Sequence, residues 1–166
     1  AMRFAHWRVS GSWVNGSRID GIGAVKDFFL LRVRDMHHRL QRRFMSNGPQ
    51  LHWQSDLKGL PPLAPRKILQ ALRLVQEALN NAFKHAHAQH VWFRAQFDVE
   101  NDVLTLSVRD DGLGMLPPAA RGRGLSNMQY RAREMGGEFQ LIDKRPGVEI
   151  LLKVPNISAL AHQDSK

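Results

Sequence analysis

The sequence predicts an α+β fold in which helices are layered on one face of a mixed sheet. Three observations lead there. Apolar residues recur at three- and four-residue steps over 24–45, 65–87 and 125–135. They alternate at every second position over 91–99 and 103–110. Glycine, proline, asparagine and aspartate cluster between these stretches. The order helix, hairpin, loop, helix, hairpin suits helices covering one side of a sheet.

Residues 1–23 are rich in Gly, Ser and Trp and read as irregular, with a short strand at 5–9. Residues 24–47 hold a connecting amphipathic helix on Val25, Phe29, Val33, Met36, Leu40 and Phe44, stopped by Asn47-Gly48-Pro49. The main folded domain is expected over 48–155. It opens with a strand at 51–54 and a loop at Gly59-Leu60-Pro61-Pro62. Pro65 suits the first turn of the next helix, where its missing N–H costs little. Ile68, Leu72, Val75, Leu79, Ala82 and Ala86 give that helix its apolar stripe. Val91, Phe93, Ala95, Phe97 and Val99 share one strand face, Glu100-Asn101-Asp102 turns the chain, and 103–110 is the partner strand. Leu125, Met128, Ala132 and Met135 mark a helix closed by Gly136-Gly137. A final hairpin pairs 139–142 with 148–154 across Arg145-Pro146-Gly147, and the tail 156–166 reads as polar and frayed.

The 166 residues include no cysteine, which excludes disulfides, thiolate catalysis and cysteine zinc sites. No apolar run approaches the roughly 20 residues that span a bilayer, and Arg3, His6, Arg8 and Asn15 interrupt any signal-peptide pattern. The net charge of +9 favours an anionic partner. Nucleic acid is not expected, because the basic stretches lack interleaved exposed aromatics and only Trp92 lies on an outward strand face.

Three polar blocks carry the chemistry. Glu77 and Asn81 stand four apart on one helix face, and Lys84 falls on the same side, opposite the apolar stripe. An Asn oxygen suits Mg²⁺, which takes hard ligands and bridges phosphates. A Glu one turn away can accept a proton, and Lys84 can neutralise phosphate charge. An ordinary solvated face is the competing reading for all three. Histidines 85 and 87 do not share a helix face and lack a third ligand.

Asp110 continues the inward face of Leu104, Leu106 and Val108, so its carboxylate needs a partner. The exocyclic amine of adenine is a suitable one; a turn-capping role is the alternative, for which Asp111 is the better candidate. Gly112 and Gly114 allow backbone to approach a ligand. Residues 115–122 form a short lid limited by Pro117-Pro118, and Gly122-Arg123-Gly124-Leu125 leads into a helix whose N-terminal N–H groups favour phosphate. Plain loop structure would also explain those glycines. Asn127 either bonds phosphate or caps the helix.

The sequence Glu77-Ala78-Leu79-Asn80-Asn81, followed by Asp110-Asp111-Gly112-Leu113-Gly114 and Gly122-Arg123-Gly124-Leu125, resembles the ATPase superfamily of histidine kinases, type II topoisomerases and mismatch-repair ATPases. Residues 74–86 with Gly124-Leu125-Ser126-Asn127-Met128 and Gly136-Gly137 are similar to the nitrate-sensor type of bacterial sensor histidine kinase. The resemblance covers about residues 50 to 155. It implies a two-layer α/β sandwich on a mixed, mainly antiparallel sheet, with ATP and Mg²⁺ as ligands. It implies adenine recognition by Asp110, Mg²⁺ coordination by Asn81, and base-like or polarising action by Glu77. Gly112, Gly114, Gly122, Gly124, Leu125, Lys84 and Asn127 complete the expected nucleotide site.

Such kinases carry a histidine on a dimerising helical hairpin. Arg34-Asp35-Met36-His37-His38 faintly resembles that motif, but only forty positions separate His37 from Glu77. That is too few for a second hairpin helix and a strand, so the histidine-bearing helices are expected outside this chain. The expected function is the ATP-binding catalytic domain of a two-component sensor histidine kinase. It would be a cytoplasmic domain, within a homodimeric whole that can be membrane-anchored, and would work with a response regulator. An anti-sigma-factor-like serine kinase and a non-catalytic ATP sensor are the alternatives.

Overall fold

The computed structural model describes residues 29, 31, 32, 34–36, 38, 39, 42, 48–115 and 123–159. The irregular segment 1–23, its strand at 5–9, His37 and the lid from residue 116 through Gly122 fall outside the described residues. Described positions between 29 and 42 are helical, and Phe29 and Met36, seven residues apart, are buried in the common core.

The elements are β1 (Gln50–Asp56), α1 (Pro65–His85), β2 (His90–Asp98), β3 (Val103–Asp110), α2 (Arg123–Glu134), β4 (Glu138–Asp143) and β5 (Val148–Pro155). They form one five-stranded sheet in the order β1-β2-β3-β5-β4. β1 runs parallel to β2, Leu51 opposite Val91 and Trp53 opposite Phe93. A parallel pair needs a crossover, and α1 provides it. The other three pairings are antiparallel, which makes the sheet mixed as expected.

The core lies between the helices and one sheet face. β2 buries Val91, Phe93, Ala95 and Phe97, and β3 buries Leu104, Leu106 and Val108. Val99, expected on the same face, is 64% exposed because the strand ends at Asp98. On α1 the buried set is Ile68, Ala71, Leu74, Val75, Ala78, Leu79 and Ala82. The stripe is therefore wider than expected and Leu72 lies at its edge, since α1 packs on both the sheet and α2. From α2, Met128 and Ala132 are buried. Each fully buried Leu, Phe or Met contributes about 1.5–3 kcal/mol.

Pro65 does open α1, and Lys84 and His85 occupy its last turn, where cations complement the helix dipole. His87 then takes positive φ and releases the chain toward β2.

The tail differs from expectation at its start. Ile157 is 1% exposed, and residues 157–159 form a helical turn. Both carboxylate oxygens of Asp102 accept from Ser158 N–H, at 3.1 Å, and Oδ1 accepts from Ser158 Oγ at 2.9 Å. A hairpin residue thus caps a segment 56 positions downstream. Asp102→Ala should cost about 1 kcal/mol in urea unfolding, the usual worth of a lost helix cap. Asp102→Asn, which keeps an acceptor oxygen, should cost less.

Candidate functional site

Glu77 and Asn81 share the half-buried flank of α1, and Lys84 is exposed one turn further on. The first turn of α2 lies against this flank. A Cβ built on Gly124 would stand 2.5 Å from Glu77 Oε1. Only a residue without a side chain lets the carboxylate approach the start of α2 so closely. The first four N–H groups of any helix have no partner within it and carry the positive end of its dipole. The carboxylate of Glu77 therefore stands beside a natural anion site.

Asp110 ends the buried face of β3 and is 8% exposed. Its Oδ1 accepts from Gly112 N–H at 2.9 Å and Val148 N–H at 3.3 Å. Among the described residues no hydrogen bond reaches Oδ2. One oxygen therefore caps the turn, as the alternative reading expected, and the other accepts no hydrogen bond from a described residue. Desolvation pushes the Asp110 carboxyl above the usual carboxylate range, and the two N–H donors only partly offset it.

The loop after Asp110 is fastened to the end of α1. Leu113 N–H donates to the Ala86 carbonyl at 2.8 Å, and a Cβ on Gly112 would collide with that carbonyl. Leu113 itself is 76% exposed. Asp111 is not a local turn cap. Its Oδ1 accepts from Gln89 N–H at 2.9 Å and His90 N–H at 2.8 Å, which ties the loop to the start of β2. Burial opposes its ionisation, yet these donors hold its carboxyl below the ordinary value.

These contacts place the predicted blocks along one helix. Glu77 meets α2, and Ala86, nine residues on, meets the Asp110 loop. At 1.5 Å per residue the two ends lie about 14 Å apart along α1. Gly114 has positive φ within this loop. Leu125 is partly buried and packs on the core. Asn127 lies more than one turn inside α2 and is exposed, so it does not cap the helix, which starts at Arg123. Gly122 is outside the described residues.

Two site residues escaped sequence reasoning. Gly147 has positive φ, and a Cβ on it would collide with the Asp110 carbonyl. Val148 supplies the second N–H to Asp110. Pro146-Gly147 signals only a hairpin turn; that the turn folds onto Asp110 depends on β5 pairing with β3.

Residues 67–157 match the model of the histidine kinase-, DNA gyrase B- and HSP90-like ATPases. The sensor histidine kinase LiaS of Bacillus subtilis (strain 168) is 40% identical over 86 residues, which is 50% of this chain and 23% of LiaS. The signal transduction histidine-protein kinase/phosphatase UhpB of Salmonella typhimurium is 35% identical over 111 residues, 66% of this chain and 21% of UhpB. The chain thus spans under a quarter of these relatives. The histidine kinase domain of the blue-light activated histidine kinase from Erythrobacter litoralis EL346 superposes with a TM-score of 0.66 at 19% identity, covering 81% of this chain and 63% of that one. This likeness shows that the two share a fold.

Proposed function

Because the chain belongs to the histidine kinase-, DNA gyrase B- and HSP90-like ATPase family, we propose that it is the ATP-binding catalytic domain of a two-component sensor histidine kinase. Its reaction moves the γ-phosphoryl of Mg·ATP to a histidine on a helical dimerisation module. The observation that carries this reading is the approach of Glu77 to Gly124, which sets a carboxylate beside the helix start where a terminal phosphate would sit. The named relatives are histidine kinases, which favours a histidine acceptor over a serine.

The residues divide the work. Asp110 Oδ2 accepts from the adenine amine, held in place by Gly112, Gly147 and Val148. Asn81 offers its side-chain oxygen to Mg²⁺, whose charge offsets that of the phosphates. Lys84 adds positive charge at their edge, with Gly114 and Asn127 along the same rim. Backbone N–H groups from Gly124 onward receive the terminal phosphate, and Leu125 anchors that turn to the core. Glu77 accepts the proton released as the imidazole attacks, or orients that ring. Catalysis of this kind is mostly positioning and charge stabilisation.

The whole protein is proposed to dimerise through the histidine-bearing helices and to hand phosphate to a response regulator. No helix among the described residues is long and apolar enough to cross a membrane. Asn81→Ala tests the metal assignment. ATP affinity with Mg²⁺ present should fall about tenfold, the lower end of what a lost metal-site interaction costs, while Mg²⁺-free affinity stays near the parent value. Equal losses in both conditions would remove Asn81 from the metal.

A further inference from the structure

The sheet face turned away from the helices carries a cluster that nucleotide binding does not use. His52 on β1 and His90 on β2 lie diagonally across the parallel pair, since His52 is opposite Trp92 and Gln50 opposite His90. His52 Nε2 and His90 Nδ1 are 3.1 Å apart. Both rings are half-buried.

We propose that His52 Nε2 and His90 Nδ1 form a chelating site for a divalent transition cation of the imidazole-seeking class, Zn²⁺, Ni²⁺ or Cu²⁺. Metal–imidazole bonds of about 2.0–2.1 Å place two ligand nitrogens roughly 2.9 Å apart at a right angle and about 3.4 Å apart at the tetrahedral angle. The observed separation lies between these limits. One ring now donates to the other, so binding requires that ring to move its proton to its second nitrogen, which frees both facing lone pairs without losing a proton. Among the described residues no set of three or more His, Asp or Glu side chains is grouped to hold a metal. Water fills the remaining positions.

The rings are held ready. His52 stacks on Trp92 with centroids 5.4 Å apart and planes 13° apart, and the Arg109 guanidinium lies 5.3 Å from the same Trp92 ring. The His90 ring lies 5.7 Å from the Trp92 ring, and the backbone N–H of His90 donates to the Asp111 carboxylate, which adds anionic charge beside it. Imidazole pairs do not select Mg²⁺, so this site is distinct from the one assigned to Asn81. Occupancy would tie the edge strand β1 to the strand that leads into the Asp110 loop.

The test uses the full 166-residue chain. Calorimetry with Zn²⁺ should show one cation per chain bound by this pair, and His52→Ala and His90→Ala should each weaken binding at least about tenfold. His52→Gln, which keeps size and hydrogen bonding, should weaken it similarly, with circular dichroism confirming the fold. Cu²⁺ should quench tryptophan fluorescence, and Trp92→Phe should reduce the quenching while one Cu²⁺ per chain is still bound. A parent chain that takes up no Zn²⁺, or a folded His52→Ala/His90→Ala double variant that binds Zn²⁺ as tightly as the parent, overturns the proposal.

Discussion

Glu77→Gln should bind Mg·ATP with near-parent affinity yet transfer phosphate about 10²–10⁴ times more slowly to a supplied histidine-bearing module, the range for loss of a general base. Gln keeps the length of the side chain and an acceptor oxygen but takes no proton at neutral pH. The loss should therefore appear in kcat, with ATP affinity from calorimetry unmoved. The structure sharpens the expectation. Glu77 Oε1 approaches Gly124 so closely that a Cβ there would stand 2.5 Å from it, and Gln fits the same space. Parent-like turnover in the Gln variant would show that the residue only orients the acceptor. Lost ATP binding would place it instead in the phosphate or metal shell.

Asp110→Asn should lower ATP affinity about 10- to 100-fold. A buried hydrogen bond to a charged group is worth about 1.5–3 kcal/mol. The Asn Oδ1 can keep both N–H donors, from Gly112 and Val148. Its Nδ2 then replaces Oδ2 and presents a donor to a base amine that is itself a donor. Fold stability should move the other way. Desolvation raises the Asp110 pKa above its unfolded value. The group's contribution to stability is therefore complete below the unfolded pKa and is lost as pH rises through the folded one. At neutral pH the ionised carboxylate is the penalised form, so the Asn variant should melt at the same temperature or higher. Unchanged ATP affinity in a folded Asn variant would remove Asp110 from the base pocket.

Periodicity made most of the fold legible. The alternation of Val91, Phe93, Ala95 and Phe97 matches the buried face of β2. The same period extended through β3 placed Asp110 inside, and it is the only buried charged residue among those described. The helix stripe was less accurate: Ala71, Leu74 and Ala78 are buried because α1 touches two layers, and a single-face count does not anticipate that. Tail residues Ile157 and Ser158 were misjudged as frayed because their partner, Asp102, is distant in sequence.

The site divides along the same line. Glu77 and Asn81 share a face by helical spacing alone, which local reasoning captures. Gly147 and Val148 contribute through strand pairing, and Gly112 through its approach to the Ala86 carbonyl. None of these three contacts has a local signature beyond a glycine in a turn. Asn127 was left between bonding phosphate and capping the helix, and the start of α2 at Arg123 removes the second alternative.

The most direct test of the central claim is phosphotransfer. The chain is mixed with γ-labelled ATP, Mg²⁺ and a separately produced helical hairpin module carrying the acceptor histidine, and label on the module is followed with time. Expected is acid-labile, base-stable label on the module that requires both Mg²⁺ and Glu77 and disappears when the acceptor histidine is replaced. Tight ATP binding without any label on hairpins drawn from this family, or acid-stable label on a serine, would contradict the assignment as a histidine kinase catalytic domain.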